Sequence, residues 1–389
     1  MRRVIAAALL ATLLLATEAP AQQAGGRRVP RRWLGAAIGM LVTGAGALVY
    51  ALAKQRDIES PCSSTSCVAT FSLVLGFGAG FLIGREFDQL HALRYRHGPP
   101  LTLRGQQIPL SVIPLDVAAR GGTVAAAGEG GVEIFSGGAR LERADIRARG
   151  LRGVVSARPE PARNRLLVGT TVGLYGFGLE GARTTGDLLA PGEVSALALE
   201  DDRALVATGA SLIAARLDGD TLEASGTARA FEARVTDLAW GRDGRVAWVL
   251  TEGTLIAMAV GDSGLADSLG AFPLFTEGRR LAILRDTLAI AAGEGGVFLL
   301  DVSDPRAPRQ VAQWSGARFA YDVALGPRAV YLAAGPEGLY VLSPRAEGSM
   351  TALGLARNLG FVAALDADGS DLYLIDRSGG LLRRIPFAN

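Results

Sequence analysis

Three aspartates occupy the same place in a repeated sequence pattern and are the residues whose spacing could support chemistry. Asp116, Asp237 and Asp322 each take the second position of a predicted first strand. If these strands line one channel, the carboxylates face one another at its mouth and could bind a cation or a polar ligand. The alternative is that each aspartate caps a turn within its own repeat, accepting hydrogen bonds from nearby backbone N–H groups.

The chemistry open to these carboxylates is limited by two missing residue types. Both histidines, His91 and His97, and both cysteines, Cys62 and Cys67, precede residue 100. Residues 100–389 therefore lack the usual general base, the thiol nucleophile and the common ligands of zinc and haem. The sequence predicts no catalytic residue, no metal site and no cofactor.

Two glycine-rich turns invite comparison with phosphate-binding loops. Gly128-Glu129-Gly130-Gly131 and Gly293-Glu294-Gly295-Gly296 share the pattern Gly-x-Gly-Gly. A phosphate loop must open a helix, where aligned N–H groups meet the anion. Both turns lead instead into predicted strands, so the glycines are interpreted as tight-turn residues with positive φ.

These residues belong to a pattern that recurs seven times along residues 100–389, in which apolar strands alternate with glycine-containing turns. The residue that opens the third strand recurs at Val132, Leu174, Leu212, Leu255, Val297, Leu339 and Leu381. A step of about 42 residues fits one four-stranded blade. The sequence therefore predicts an all-β, seven-bladed β-propeller over residues 100–389.

The same repeats allow the predicted first strands to be aligned. Their second positions are Asp116, Ser156, Ser195, Asp237, Ala282, Asp322 and Ala364. The last repeat lacks a fourth strand, and an orphan apolar segment at 101–110 precedes the first repeat. We expect this segment to pair with residues 381–387, which joins the two ends of the domain and removes an unpaired sheet edge.

Three sequence patterns in the repeats resemble those of the LVIVD-repeat propellers. They are Asp322-Val323-Ala324-Leu325, Gly338-Leu339-Tyr340-Val341-Leu342 and Asp301-Val302-Ser303-Asp304-Pro305. The match is strong over 281–314 and 321–345 and fair over 115–136, whereas the Gly-His and Trp-Asp hallmarks of WD40 repeats are missing. The resemblance implies an exported or surface protein that serves as a binding platform more than as any one catalyst.

Residues 1–21 have the features of a secretory signal peptide. Arg2 and Arg3 precede an apolar run at 4–16, and Ala19-Pro20-Ala21 provides a small-x-small cleavage site. Cleavage would leave Gln22 at the N-terminus. The alternative is an uncleaved anchor, although a helix of about 13 residues spans only about 20 Å.

Residues 22–99 are predicted to form a two-helix membrane hairpin. The runs at 33–53 and 67–84 are uncharged, and small residues recur every fourth position, at Gly35 and Gly39 in the first run and at Gly76, Gly80 and Gly84 in the second. This spacing resembles glycine-zipper hairpins, in which small side chains let two helices approach closely. Two buried helices of a soluble domain are the alternative.

The loop between the two runs carries Cys62 and Cys67. Their spacing permits a disulfide, and the compartment decides whether it forms. Free thiols are one alternative, and a metal site is a less favoured one.

Arginines flank both runs and favour cytoplasmic ends under the positive-inside rule. The signal peptide favours export instead, and we expect the propeller to lie outside the cytoplasm, on the periplasmic or extracellular side of the membrane.

These observations converge on a function without naming a ligand. A formal net charge of +2 gives no electrostatic case for nucleic acid. The sequence predicts a non-enzymatic, envelope-anchored propeller that binds a protein or another envelope component. The alternative is a carboxylate- and metal-dependent propeller enzyme, similar to a lactonase or lyase, with its site at the channel mouth.

Overall fold

A computed structural model describes residues 97–387, apart from residues 139, 149, 180–186, 219–220, 242 and 346–347. The predicted signal peptide and hairpin, with their zipper glycines and with Cys62 and Cys67, lie outside the described residues. Within the described ranges, no helix is both long and apolar enough to cross a membrane.

The described chain is built almost entirely from antiparallel strands, and a short N-terminal strand, β1 (Gln106–Pro109), comes first. The next three sheets are called blades 1 to 3. The strands of blade 1 are β2 (Ile113–Arg120), β3 (Thr123–Glu129), β4 (Gly131–Ser136) and β5 (Glu142–Arg147). The strands of blade 2 are β6 (Val154–Glu160), β7 (Arg165–Thr170), β8 (Gly173–Gly178) and β9 (Asp187–Pro191), with a 3-10 turn at Pro161–Arg163. The strands of blade 3 are β10 (Ala196–Glu200), β11 (Arg203–Thr208), β12 (Ser211–Asp218), β13 (Thr221–Ala224) and β14 (Arg229–Ala230).

Blades 4 to 7 follow the same plan. The strands of blade 4 are β15 (Val235–Trp240), β16 (Val246–Thr251), β17 (Thr254–Gly261) and β18 (Gly264–Pro273). The strands of blade 5 are β19 (Arg280–Leu284), β20 (Thr287–Ala291), β21 (Val297–Asp301) and β22 (Arg309–Trp314). The strands of blade 6 are β23 (Asp322–Leu325), β24 (Val330–Ala333), β25 (Leu339–Pro344) and β26 (Met350–Ala356). Blade 7 comprises β27 (Val362–Asp368), β28 (Asp371–Asp376), β29 (Leu381–Pro386) and β1.

The seven sheets form a closed ring. The first strand of each blade contacts the first strand of the next, and β27 of blade 7 contacts β2 of blade 1. These first strands are therefore the inner strands that surround a central channel. The prediction of an all-β, seven-bladed propeller is confirmed. We call the end of the ring where the inner strands begin the mouth face, and the opposite end the far face.

The hydrophobic core is divided among the interfaces between neighbouring blades. Seven clusters of buried apolar residues are present, and each draws its side chains from two adjacent blades. Both faces of a blade are thus buried, which explains runs such as the almost fully buried β3. Trp240, Trp248 and Trp314 are buried in three of these clusters.

The ring is closed by pairing between the two ends of the domain. Strand β1 lies antiparallel to β29, with Gln106 opposite Arg384 and Pro109 opposite Leu381. This is the closing strand that the sequence predicted. The preceding segment differs from the prediction, because the Leu101 N–H donates to the Leu355 carbonyl of blade 6 at 2.9 Å. Residues 99–101 therefore follow the outer edge of blade 6 before the chain reaches blade 7.

The Gly-x-Gly-Gly segments are tight turns between strands, as the sequence indicated. Gly296 has a φ of 81°, in the left-handed region that favours glycine. A Cβ at this position would overlap the carbonyl oxygen of Trp314 on the neighbouring strand. Positive φ and close backbone approach together account for glycine here.

Candidate functional site: the central channel and its mouth

The three predicted aspartates come together in the channel. Asp116, Asp237 and Asp322 line one cavity of about 210 Å³, to which six of the seven inner strands contribute. The cavity also contains three charged residues that the sequence alignment missed, Arg158, Arg280 and Asp366. The structure thus places the three aspartates in one cavity, together with two guanidinium groups and a fourth carboxyl.

Arg280 was missed because the alignment of the repeats was two residues out of register in blade 5. Asp237 and Asp322 lie opposite Leu250 and Ala333, and the equivalent position of blade 5 is Arg280, opposite Ala291. The sequence alignment had assigned that position to Ala282. The inner strands of blades 1, 2, 4 and 7 carry a register shift near their start, whereas the first strand pairs of blades 3, 5 and 6 are regular. Blade 3 shows a smaller offset, because Ala196 rather than Ser195 lies opposite Ala207.

Arg158 and Asp366 were missed for a simpler reason. Each lies two residues after an aligned position, Ser156 and Ala364 respectively. Side chains two residues apart in a strand project from the same face. A search of the second residue after each aligned position would have found both.

Two of the aspartates join neighbouring blades. Asp237 accepts a hydrogen bond from the N–H of Leu238 in its own strand at 3.0 Å and another from Leu281 of blade 5 at 2.9 Å. Asp322 accepts from Val323 in its own strand and from Leu365 of blade 7, both at 2.8 Å. The alternative, in which each aspartate caps a turn within its own repeat, therefore accounts for only one of the two carboxylate oxygens.

Asp366 repeats this arrangement at the closure of the ring. It accepts from Ala367 at 2.8 Å and from Ala119 of blade 1 at 2.7 Å. The junctions between blades 4 and 5, 6 and 7, and 7 and 1 are thus each held by one carboxyl, which is buried at Asp237 and Asp322 and half-buried at Asp366. Backbone N–H groups of inner strands that face the channel have no strand partner on that side, and these carboxyls satisfy six of them, three in their own strands and three in the neighbouring blade.

Asp116 makes ion pairs instead. Its Oδ2 accepts from Arg158 Nη1 at 2.7 Å, and its Oδ1 lies 3.8 Å from Arg280 Nη2. Arg280 Nη1 in turn lies 3.9 Å from Asp237 Oδ1. Burial alone would lower the pKa of the Arg280 guanidinium, but Asp116 and Asp237 raise it above its usual range. Arg280 therefore remains charged inside the ring.

Burial has the opposite consequence for the carboxyls. It raises the pKa of Asp322 to about 7 and that of Asp366 to about 6, and it also raises the pKa of Asp237. The backbone hydrogen bonds and the arginines lower these values only in part. Asp322 thus gains a proton as the pH falls to about neutrality.

A pH dependence of stability follows from these values. A raised carboxyl pKa means that the folded chain binds more protons than the unfolded chain between about pH 4 and pH 7. The stabilisation is present below that window and is lost as the pH rises through the folded pKa values. We expect a higher urea midpoint at pH 5 than at pH 8. Asp301 and Asp376, whose pKa values are lowered, titrate below this range.

The outcome that contradicts this expectation is a urea midpoint that stays constant or rises between pH 5 and pH 8. Replacing Asp366 with Asn removes one of the titrating groups, so the difference between the two midpoints should shrink in that variant. A variant at Asp304, an exposed residue outside the channel, provides the control.

Above this cavity, a second cavity of about 350 Å³ opens at the mouth face. We call it the mouth cavity. Its polar lining comprises Ser195, Arg234, Thr236, Glu277, Arg279, Arg280, Tyr321 and Arg377. Arg280 lines both cavities and separates them. Four guanidiniums against a single carboxylate give the mouth cavity a positive charge.

An aromatic row forms one wall of the mouth. The rings of Phe319 and Tyr321 have centroids 4.8 Å apart, and those of Tyr321 and Phe361 are 5.2 Å apart in an edge-on arrangement. The Arg279 guanidinium lies 5.1 Å from the centroid of the Phe319 ring. These contacts hold the rings and Arg279 in fixed positions at the rim.

Large apolar side chains are also exposed at the mouth face. Phe275 is 99% exposed, on the loop that carries Glu277 and Arg279, and Ile113 and Val172 are 55% and 56% exposed at the same end of the ring. At the far face, Leu284 is 41% exposed. No other described large apolar side chain approaches the exposure of Phe275.

One histidine lies against the propeller despite preceding residue 100. His97 Nδ1 is 2.6 Å from the hydroxyl of Tyr340, which donates to Glu337 Oε2 at 3.0 Å. The expectation that the propeller has no histidine was therefore too strict, since the chain packs on blade 6 before the boundary drawn at residue 100. Within the described ranges, no group of three or more His, Cys, Asp or Glu residues could hold a metal ion.

Comparison with known proteins identifies a fold and no family. No protein family and no curated protein matches the sequence. Among solved structures, a chain from "Crystal Structure of Mitotic Checkpoint Complex" is similar with a TM-score of 0.59 and 13% identity, covering 75% of this chain and 98% of that one. The WD40 β-propeller domain of Doa1 is similar with a TM-score of 0.57 and 15% identity, covering 74% and 97%. The chain is thus a seven-bladed propeller that resembles WD40 propellers in structure.

Proposed function

We propose that this protein is a non-enzymatic binding platform, held in the cell envelope, whose protein partner docks on the mouth face. The observation that carries the proposal is the Phe275 side chain, which is 99% exposed on a loop that also lines the mouth cavity. Aromatic side chains are frequent anchors of protein interfaces, and Ile113 and Val172 are also exposed at this end of the ring.

The arrangement of the channel supports binding over catalysis. Both oxygens of Asp237 and of Asp322 accept backbone hydrogen bonds, so these carboxyls contribute to the stability of the ring. A carboxylate serving as a general base or a metal ligand needs a free oxygen directed at its substrate or ion. The propeller fold, shared with similar structures, suits a platform because its loops converge on one face.

The placement in the envelope rests on the sequence. The signal-peptide features of residues 1–21 and the glycine-spaced runs of residues 22–99 would export the chain and anchor it in a membrane. The repeat patterns that resemble the LVIVD propellers agree with an exported platform. The partner is accordingly an envelope protein, and no nucleic acid is expected at a net charge of +2.

A photo-crosslinking residue placed at position 275 tests this proposal in intact cells. We expect position 275 to give a covalent adduct of discrete mass, whereas the matched position 284, exposed and apolar on the far face, gives none. Phe275→Ala should weaken capture of the adduct partner about tenfold or more, as the removal of an interface anchor does. The melting temperature should be unchanged, because Phe275 packs on nothing. Equal labelling from both positions, or labelling from neither, contradicts the proposal.

A further inference from the structure

We propose that the mouth cavity is a binding site for a carboxylate that carries an aromatic group. The charge of the cavity indicates an anion, because Arg234, Arg279, Arg280 and Arg377 line it together with a single acidic residue, Glu277. Two of the four arginines already donate hydrogen bonds to carboxylates. Arg279 Nη1 donates to Glu277 at 2.9 Å, and Arg234 Nη2 donates to Glu193 at 2.6 Å.

The other two arginines provide the charge that a ligand would meet. Arg377 is exposed and forms no ion pair with any described residue. Arg280 lies 3.8 and 3.9 Å from the nearest carboxylate oxygens, beyond hydrogen-bond distance, and its guanidinium donates no hydrogen bond to a described residue. Five N–H donors are therefore available on a side chain that is only 27% exposed. The planar guanidinium matches the two oxygens of a carboxylate.

The carboxylates beneath Arg280 limit the negative charge that a bound ligand can carry. Asp116 and Asp237 lie on the channel side of Arg280, and their carboxylates would repel a second negative charge at the mouth. A singly charged carboxylate suits the site better than a doubly charged phosphate. Glu277 adds to this preference, although Arg279 neutralises most of its charge.

The aromatic wall sets the second feature of the ligand. Tyr321 and Phe361 line the cavity beside the arginines, and their edge-on contact holds both rings in place. A flat apolar group attached to the carboxylate can pack on these rings while the carboxylate meets Arg280. The ligand is therefore either a free aromatic acid or an acidic residue beside an aromatic residue in a peptide.

The site is tested by titration of the purified full-length chain with four probes. These are 3-phenylpropionate, its neutral amide, inorganic phosphate, and an end-blocked tetrapeptide containing adjacent Phe and Asp. We expect saturable binding of at least one of the two carboxylates, weakened by salt, and much weaker binding of the amide and of phosphate. Binding of the free acid alone identifies a small-molecule ligand, whereas binding of the peptide alone identifies a protein segment.

Variants place the bound carboxylate at the mouth. Arg280→Lys keeps the charge and loses the planar fork, so affinity should fall about tenfold. Arg377→Gln should reduce affinity about threefold, while Arg328→Gln, an exposed arginine on the far face, should leave it unchanged. If Arg280→Lys fails to fold, the affinity of Arg377→Gln for the carboxylate probe tests the site by itself. Unsaturable binding, equal binding of the amide, or unchanged affinity in Arg377→Gln overturns the proposal.

This inference is independent of the proposed protein partner. Phe275 does not line the mouth cavity, so Phe275→Ala should retain binding of the probes while it loses capture of the partner. Loss of both properties in that variant contradicts the separation of the two surfaces. If a probe binds but position 275 gives no crosslinked partner, the carboxylate site is supported and the platform proposal is contradicted.

Discussion

A chain that begins at Ser111 is expected to lose the cooperative unfolding transition that a chain beginning at His97 retains. The residues removed include β1, whose pairing with β29 closes the ring. They also include four apolar side chains, Leu101, Leu103, Ile108 and Leu110, which pack against the clusters on either side of blade 7. Without them, β29 becomes a bare edge above two opened clusters.

The size of the effect follows from what the segment buries. Burying an apolar side chain completely contributes about 1.5 to 3 kcal/mol, and these four are half buried, which gives on the order of 5 kcal/mol. Gln106 adds two hydrogen bonds to the backbone of Leu141 in blade 1, at 2.7 and 2.8 Å. The sum is comparable with the whole free energy of unfolding of a typical domain, about 5 to 15 kcal/mol.

Urea unfolding followed by circular dichroism compares the two truncated chains. A second test in the full-length chain avoids truncation. A Cβ at Gly105 would overlap the carbonyl oxygen of Arg384, so Gly105→Val should push β1 away from β29 and lower the urea midpoint in the same direction. Identical midpoints in the chains that begin at His97 and Ser111 would show that β1 does not close the ring.

The features of this protein that depend only on residues close in sequence could be predicted from the sequence. The third strand of every repeat opens with an apolar residue after a glycine-containing turn, and this local pattern was enough to predict seven blades and a closing strand. Arg280 lies 42 residues before Asp322, which is one repeat step, so the same step could have placed it; the alignment of the repeats instead put Ala282, two residues later, at this position.

The hydrogen bonds between blades could not be predicted from the sequence, for another reason. Asp322 and Leu365 are separated by 43 residues, and their hydrogen bond depends on how two blades are placed side by side. Sequence could indicate that Asp116, Asp237 and Asp322 line one channel, since they share a repeat position. It could not indicate that two of them accept hydrogen bonds from the backbone of the next blade while Asp116 pairs with the Arg158 side chain of blade 2.

Replacing Asp322 with Ala is expected to lower the free energy of unfolding by about 2 to 5 kcal/mol. The substitution leaves the N–H groups of Val323 and Leu365 without an acceptor, and each unsatisfied buried N–H costs about 1 to 3 kcal/mol. One of these groups belongs to blade 7, so the variant also weakens the junction between blades 6 and 7. Water that enters the vacated space would hydrate the N–H groups and favour the lower end of this range.

The pH dependence of this loss separates the hydrogen bonds from the charge. At pH 8 the wild-type chain buries an ionised Asp322, whose pKa is raised to about 7, and this cost offsets part of what the hydrogen bonds contribute. At pH 5 the carboxyl is protonated and the offset disappears, while its oxygens still accept hydrogen bonds. The loss caused by Asp322→Ala should therefore be larger at pH 5 than at pH 8.

The control is Asp304→Ala. Asp304 is an exposed aspartate that accepts one hydrogen bond within its own turn, from Arg306 at 3.0 Å. Its removal should cost about 1 kcal/mol or less at either pH. If the two variants lose equal stability, the inter-blade hydrogen bonds contribute nothing beyond an ordinary turn. If the loss at Asp322 is greater at pH 8, the ionised carboxylate stabilises the ring and the sign of the burial effect is reversed.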